Sequence, residues 1–392
     1  MALTFWNGAP SIEERMIAVD RRPSGFDYIR IVLALGIVAW HTIVTSYGYD
    51  TQLKAFASPY RPIILLLLPM FFALSGFLVS GSLQRCRTLI SFAGLRVLRI
   101  IPALAFETVL SALLLGAVLT TLPLQTYFTS PVFFHYFLNI IGNIHYILPG
   151  VIEHNPFPDK LNGQLWTVPF EMECYLVLSI LAFVTIAKRG WLMLGVSVLI
   201  FPIIIFATQV LKHHGVKPEL GAFPGGLLVA CFLCGVALFV LRETVRFSLG
   251  LGLASILACV VLLSLPFGDY LAVLPITYLT VWIGMQNPAK LGLLQKGDYS
   301  YGVFLFGFPI QQAFMTLGPW THHWWINFLV CAPLAFLVGI FSWHFVEKPT
   351  LDQRKWLIKL EDRAIALGLH VHRRATEAFP DLLPPRFRSK SQ

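Results

Sequence analysis

The sequence predicts an all-α, polytopic integral membrane protein with about ten transmembrane helices, and three observations support this fold class. Hydrophobic residues make up 56% of the 392-residue chain, and only 12% of its residues are charged. The mean hydropathy is +0.71, so the chain has too few polar residues to cover one soluble globule. Apolar runs long enough to cross a hydrocarbon layer of roughly 30 Å recur along the sequence.

Each predicted span is an apolar run of this kind. In chain order they are 27–48, 62–82, 100–121, 165–187, 191–211, 223–241, 247–266, 270–286, 299–317 and 325–346. A further run, 131–152, is aromatic and ends in prolines and glycines, so we expect a re-entrant or interfacial segment. These elements form one membrane domain, 26–349, which follows a cytoplasmic segment, 1–25. The tail, 350–392, is predicted to begin as a basic amphipathic helix on the cytoplasmic leaflet and to end disordered.

The distribution of positive charge predicts the orientation. With the amino terminus in the cytoplasm, 24 of the 29 lysines and arginines fall on the cytoplasmic side, many of them in the tail and in an expected loop at 85–99. Both termini are then cytoplasmic. The net charge of +9 is therefore a consequence of topology and of the basic tail, and it predicts no nucleic-acid partner.

The cysteines and histidines predict no metal site. Cys231 and Cys234 have CxxC spacing inside an apolar run, where packing is the better explanation, and no second pair completes a set of ligands. His213 and His214 are adjacent on an expected loop and lack distant partners. The sequence gives no indication of the oligomeric state.

Two ionisable residues in the first span are the strongest indication of chemistry. Arg30 and His41 are eleven residues apart, which places them within about 20° on one helix face and about 16 Å apart in depth. Such groups are costly in lipid, and a functional role is the first hypothesis. Alternatively, Arg30 marks the cytoplasmic end of the span by snorkelling. His41 is either a hydrogen-bonded packing residue or a proton acceptor for a hydroxyl group.

Glu171 is the predicted partner of His41. It follows Trp166 and Pro169 at the outer start of the fourth span. Counting helical rise from Leu165 places Glu171 at the depth of His41. A carboxylate at that depth would orient the imidazole or balance its positive charge.

Six short motifs follow one another in a characteristic order. They are Arg30 with His41, FFALSGFL (71–78), RVLRIIP (96–102), LWTVPFE (165–171), YSYGVFL (299–305) and VEKP (346–349). Together they resemble the integral-membrane acyltransferase-3 family of O-acyltransferases over roughly residues 26–349. The chain departs from the pattern at Gly307, where many relatives carry a histidine.

The resemblance implies transfer of an acyl group, usually acetyl from cytoplasmic acetyl-CoA, to a hydroxyl of a sugar or other acceptor at the outer face. It also implies that His41, Arg30 and Glu171 are the functional residues. Acetyl-CoA is then a co-substrate, no bound cofactor is expected, and the expected location is a bacterial inner membrane. The expected partners are acyl-CoA, a carbohydrate or glycolipid acceptor and the lipid bilayer.

Further residues are candidates for binding the two substrates. The expected acyl-CoA contacts are Arg85, Arg87, Arg96, Arg99 and Ser75, since arginines bind phosphates by charge-assisted hydrogen bonds. The expected acceptor contacts are Asn162, Trp166, Tyr175 and Tyr301. Each set has a simpler explanation: the arginines satisfy the positive-inside rule, the serine lies where helices pack closely, and the aromatic residues suit an interfacial belt.

Two other functional classes remain open. A transporter or flippase of a glycan or small acid would use Arg30, His41 and Glu171 as a relay, but no internal repeat of the kind found in transporters is visible. A membrane sensor would not need these three residues together. The sequence does not identify the acceptor or distinguish acetyl from other acyl groups.

Overall fold

A computed structural model describes residues 8–184, 188–213, 224–265, 268–292, 294–354, 356–357, 359 and 361–363. Within these ranges the chain is built from helices and two isolated β-bridges. The prediction of an all-α fold is therefore confirmed.

The helices follow one another along the chain, and the longest connection without a helix in the described ranges is 142–162. They are α1 (Ile12–Ile17), α2 (Gly25–Tyr47), α3 (Tyr49–Phe56), α4 (Arg61–Arg85), α5 (Leu89–Leu110), α6 (Gly116–Leu119), α7 (Leu124–Thr129), α8 (Pro131–Tyr136), α9 (Val168–Phe183), α10 (Gly190–His213), α11 (Gly225–Val240), α12 (Leu249–Leu263), α13 (Gly268–Leu271), α14 (Val273–Gly284), α15 (Ser300–Met315), α16 (Trp324–Ser342) and α17 (Lys348–Asp352). Turns of π-helix at Ser111–Leu115 and Trp343–Glu347 continue α5 and α16, and 3₁₀ turns occupy Phe137–Ile141, Gly163–Thr167 and Pro319–Thr321.

Six helical segments in the described chain are long and apolar enough to cross a membrane. They are Gly25–Tyr47, Arg61–Arg85, Leu89–Leu119, Gly163–Phe183, Gly190–Ala207 and Trp324–Asp352. Four shorter apolar segments accompany them: Pro131–Ile141, Gly225–Val240, Leu249–Leu263 and Val273–Gly284. The polytopic membrane class is confirmed, although several of the ten predicted spans are shorter than expected.

The short helix α11 is apolar on all sides, which suits its position inside the bundle. From Leu227 to Phe239 nearly all of its side chains are buried. A Cβ atom at Gly76 of α4 would overlap the backbone carbonyl of Phe232, and one at Gly235 would overlap that of Ala73. Small residues therefore bring the backbones of α4 and α11 into direct contact, as they do in other membrane bundles.

The expected loop at 85–99 is largely helical. The side chain of Thr88 accepts a hydrogen bond of 3.1 Å from the backbone N–H of Ser91, which caps the start of α5 at Leu89. Arg96 and Arg99 consequently lie on a helix, three residues apart on one face. Both guanidinium groups line a cavity of the bundle.

The segment between α5 and α9 forms a separate outer subcluster. Tyr127, Tyr136, Leu148 and Leu161 are buried together in it. Pro131–Ile141 has 11 residues, which at about 1.5 Å per residue is roughly half of a hydrocarbon layer. A non-spanning segment was predicted here, and the described helices are too short to span.

The start of the predicted tail helix packs on the membrane domain. Leu357 lies against Gly94 of α5, and Asp362 forms an ion pair with Arg87. Residues 364–392 lie outside the described part of the chain, as do the first seven residues.

Candidate active site

Two cavities lie one above the other along the same four helices. The inner cavity, about 320 Å³, is lined by Arg30 of α2, Ser75 of α4, Glu171 of α9 and Ser300 of α15 among others. The outer pocket, about 40 Å³, is lined by residues from α2, α4, α15 and the turn before α9: His41, Leu68, Phe308 and Trp166 among others. The helices α2 and α15 are predicted to run outward, and each lines the inner cavity before the outer pocket. The helices α4 and α9 are predicted to run inward, and along both of these segments the outer pocket comes first. The inner cavity is on the predicted cytoplasmic side.

Asp298 holds two arginines of the inner cavity. Its Oδ2 atom lies 2.9 Å from Nη1 of Arg30 and 2.8 Å from Nη2 of Arg99. Nη1 of Arg99 also pairs with Oε2 of Glu347 at 3.0 Å. Burial raises the pKa of Asp298, but Arg30 and Arg99 outweigh burial and hold that pKa at about 2. The carboxylate is therefore charged at neutral pH, and Arg30 balances it instead of only marking a helix end.

Arg96 is a different case, because no described carboxylate forms an ion pair with it. Its Nη2 donates to Oγ of Ser82 at 3.1 Å, and its guanidinium lies 5.7 Å from the ring centre of Phe92 and 5.8 Å from that of Tyr175. Its Nε is buried without a hydrogen-bond partner. Arg96 thus retains charge and a donor for a ligand in the cavity.

Four arginines and two carboxylates line the inner cavity, so positive charge is in excess. They are Arg30, Arg85, Arg96 and Arg99, with Glu171 and Asp298. Of the predicted basic cluster, only Arg87 lies elsewhere. Arg87 lies in the turn after α4, and its side chain is 72% exposed and pairs with Asp362 at 3.2 Å.

Glu171 belongs to the inner cavity. The hydroxyl of Tyr175, one helical turn further along α9, donates to Oε1 of Glu171 at 2.6 Å. The hydroxyl of Ser75 lies 3.5 Å from that of Tyr175. Tyr175 and Tyr301, predicted as acceptor contacts, also line this cavity, on the side expected for acyl-CoA.

His41 lies in the outer pocket without Glu171. Its ring packs edge-on against Phe308, with ring centres 5.0 Å apart, and no carboxylate lines the pocket. Among the described residues no hydrogen bond joins His41 to Glu171. The depth estimate placed Leu165 level with the outer end of α2, whereas Gly163 and Trp166 line the pocket together with His41. Glu171 therefore lies more than one helical turn further inward than His41.

Asn162, a predicted acceptor contact, is buried under the outer pocket. Its Nδ2 donates to Oε2 of Glu107 at 3.1 Å, and Oγ of Ser111 donates to Oε1 of Glu107 at 2.8 Å. The next residue, Gly163, lines the outer pocket, as does Trp166. Trp166 is therefore the only one of the four predicted acceptor contacts that lines the pocket of His41.

Three acidic residues of the site were not predicted. Glu107 is a carboxylate inside an apolar run, a signal that the sequence analysis could have used. Glu347 belongs to the VEKP motif, which does not by itself indicate the ion pair with Arg99. Asp298 precedes the Tyr-Ser motif, and nothing local indicates that it meets Arg30, which is 268 residues away.

The described residues contain no group of three His, Cys, Asp or Glu side chains placed to hold a metal ion. Cys231 and Cys234 are free thiols buried in α11. The His213 side chain and the whole of His214 lie outside the described structure.

Comparison with known proteins gives a consistent result. The model of the acyltransferase-3 family, described as an acyltransferase domain, matches residues 24–344. The chain is 26% identical over 352 residues to an O-acetyl transferase of Shigella phage Sf6, and the alignment covers 86% of this chain and 98% of that protein. It is 25% identical over 320 residues to Nodulation protein 10 of Rhizobium leguminosarum bv. viciae, and that alignment covers 74% of this chain and 83% of the relative. No solved structure matches.

Proposed function

Because the chain is a membrane O-acyltransferase and belongs to the acyltransferase-3 family, we propose that it transfers an acetyl group from cytoplasmic acetyl-CoA to a hydroxyl group of a carbohydrate or glycolipid at the outer face of a bacterial inner membrane. The observation that carries this proposal is the stacking of the inner cavity and the outer pocket along α2, α4, α9 and α15. The arginines of the inner cavity lie on the side from which the cytoplasmic donor enters, and the imidazole of His41 lies on the side of the acceptor. The name of the phage relative, an O-acetyl transferase, supports acetyl as the transferred group.

The donor's pyrophosphate belongs in the inner cavity. Asp298 and Glu347 match the charges of Arg30 and Arg99, so these two arginines shape the cavity more than they bind ligand. Arg96 and Arg85 then supply the free positive charge for the pyrophosphate of acyl-CoA. The pantetheine arm extends outward between the helices and brings the thioester to His41.

His41 acts as the general base. It takes the proton of the acceptor hydroxyl, whose oxygen attacks the thioester carbonyl carbon. The tetrahedral intermediate collapses, the carbon–sulfur bond breaks, and the thiolate of CoA receives the proton from the imidazolium. Proton transfer of this kind contributes about 10²–10⁴ in rate.

Glu171 acts on the donor side. It fixes the hydroxyl of Tyr175 beside Ser75 in the inner cavity. We therefore assign Glu171 and Tyr175 to positioning of the donor, and we replace the expected direct support of His41 by this role. Trp166, in the wall of the outer pocket, is the proposed contact for the ring of a sugar.

The test uses purified protein in proteoliposomes with labelled acetyl-CoA and a mixture of envelope glycans. We expect release of free CoA and labelling of a glycan fraction, and we expect both to disappear in His41→Ala. His154→Ala is the matched control, because His154 is exposed and lies in neither cavity. If the wild type leaves acetyl-CoA intact but moves a glycan across the bilayer, the enzyme proposal fails and the transporter alternative replaces it.

A further inference from the structure

A third cavity lies beside the inner cavity at the predicted cytoplasmic ends of the helices. This side cavity has a volume of about 440 Å³, which is within the range of small-molecule sites. The last turns of α4 separate it from the inner cavity. Ser80, Leu83 and Gln84 line the side cavity, whereas Ser82 and Arg85 line the inner one. A ligand lying across the end of α4 would therefore reach both.

The side cavity is apolar at the back and basic at its entrance. Its apolar lining includes Leu83, Ala182, Val236 and Phe239. Arg87 and Lys188 line its polar part, and Lys188 is exposed. The cavity thus suits a ligand with an apolar part and an attached anionic group.

The charge of Arg87 is available to such a ligand. Its partner Asp362 is 56% exposed, and Arg87 itself is 72% exposed. Exposed ion pairs are weak and easily exchanged for another anion. No ion pair of Lys188 forms within the described residues, so both cations at the entrance can meet a phosphate.

An aromatic side chain specifies the apolar part further. Phe239 of α11 is in the apolar lining, and the ring of a nucleobase packs well against an aromatic side chain. The phosphate is left to Arg87 and Lys188.

We propose that the side cavity binds the adenosine 3′-phosphate end of acyl-CoA, while the inner cavity holds its pyrophosphate and pantetheine. This inference rests on the proposed function. The turn between α4 and α5 lies between the two parts of the donor, with Arg85 facing the inner cavity and Arg87 the side cavity.

The test compares acetyl-CoA with acetyl-3′-dephospho-CoA, which differs only by the 3′-phosphate. For the wild type we expect kcat/KM to be about tenfold higher with acetyl-CoA, through KM, as one charge-assisted contact provides. Arg87→Ala and Lys188→Ala should each reduce this preference, and the double variant should abolish it. Because the dephospho substrate has no 3′-phosphate, its kcat/KM should fall less than that of acetyl-CoA in each variant. Arg189→Ala, an exposed neighbour, should retain the full preference.

The outcomes separate this inference from its premise. If acetyl-CoA is turned over but the preference is absent in the wild type or persists in the double variant, the side cavity does not bind the 3′-phosphate. If both variants change activity equally with both substrates, and only in vesicles rich in phosphatidylglycerol, an anionic lipid occupies the cavity and the inference is overturned. If the wild type turns over neither substrate, the proposed function itself fails.

Discussion

Replacement of Asp298 by asparagine removes the charge that holds Arg30 and Arg99 together in the inner cavity. The pKa of Asp298 is about 2, against an ordinary value of 3.8. A shift of this size corresponds to about 2 kcal/mol of stability at neutral pH. Its side chain is 21% exposed, so the cost stays below the roughly 3–5 kcal/mol of breaking a fully buried pair. We expect Asp298→Asn to lower the free energy of unfolding by about 2 kcal/mol at pH 7.

The pH dependence of this difference identifies its cause. Because the folded state depresses the pKa of Asp298, its stabilisation is complete above about pH 4 and is lost as the pH falls through about 2. The difference between wild type and variant should therefore be constant from pH 7 to pH 5 and should shrink at pH 3.

Thermal unfolding in detergent, followed by intrinsic tryptophan fluorescence, measures this difference at each pH, since the chain has 10 tryptophans. Asp50→Asn is the control, because Asp50 is exposed. A variant as stable as the wild type at pH 7, or a difference that is unchanged at pH 3, would refute the reasoning.

Three further predictions concern the two cavities. Arg96→Ala should raise KM for acetyl-CoA about tenfold to a hundredfold with the melting temperature nearly unchanged, since it removes a charge-assisted contact to the donor; a change in kcat alone contradicts this. Tyr175→Phe loses the hydrogen bond to Glu171 and should lower kcat/KM for acetyl-CoA about tenfold at equal abundance; unaltered kinetics would exclude a role for the pair. Glu107→Ala leaves the amide of Asn162 unpaired and should cost about 2–4 kcal/mol in thermal unfolding, whereas Glu107→Gln should cost much less; equal losses would contradict the hydrogen-bonding explanation.

The existence and type of the helices could be predicted from the sequence, but their lengths could not. Apolar run length separates a membrane protein from a soluble one without knowledge of neighbours. It does not distinguish a helix facing lipid from one enclosed by other helices, and α11 is of the second kind. The start of α5 depends on a local signal, the cap provided by Thr88, whereas the positive charge of the segment favours a cytoplasmic loop.

The site could be predicted in part for similar reasons. The spacing of Arg30 and His41 on one helix is local information, and the structure places them in the inner cavity and the outer pocket, as their separation in depth requires. The depth of Glu171 relative to His41 depends on how far α9 is displaced along α2, which a single sequence does not reveal. The pairing of Arg99 with Glu347 joins residues 248 positions apart, and a single sequence carries no signal for such a contact.

Some arginines of the inner cavity are paired with carboxylates and others are not, so substitutions in this cavity affect either stability or binding of the donor. Four unpaired cations in a space of low dielectric would repel one another strongly when no donor is bound. Asp298 and Glu347 remove most of this repulsion by pairing with Arg30 and Arg99, so these charges contribute mainly to the stability of the empty protein. Arg96 forms no ion pair within the described residues, and its contacts with Ser82 and two aromatic rings offset the desolvation of its guanidinium only in part until an anion binds. Its contribution therefore appears in binding of the donor, whereas that of Asp298 appears in unfolding.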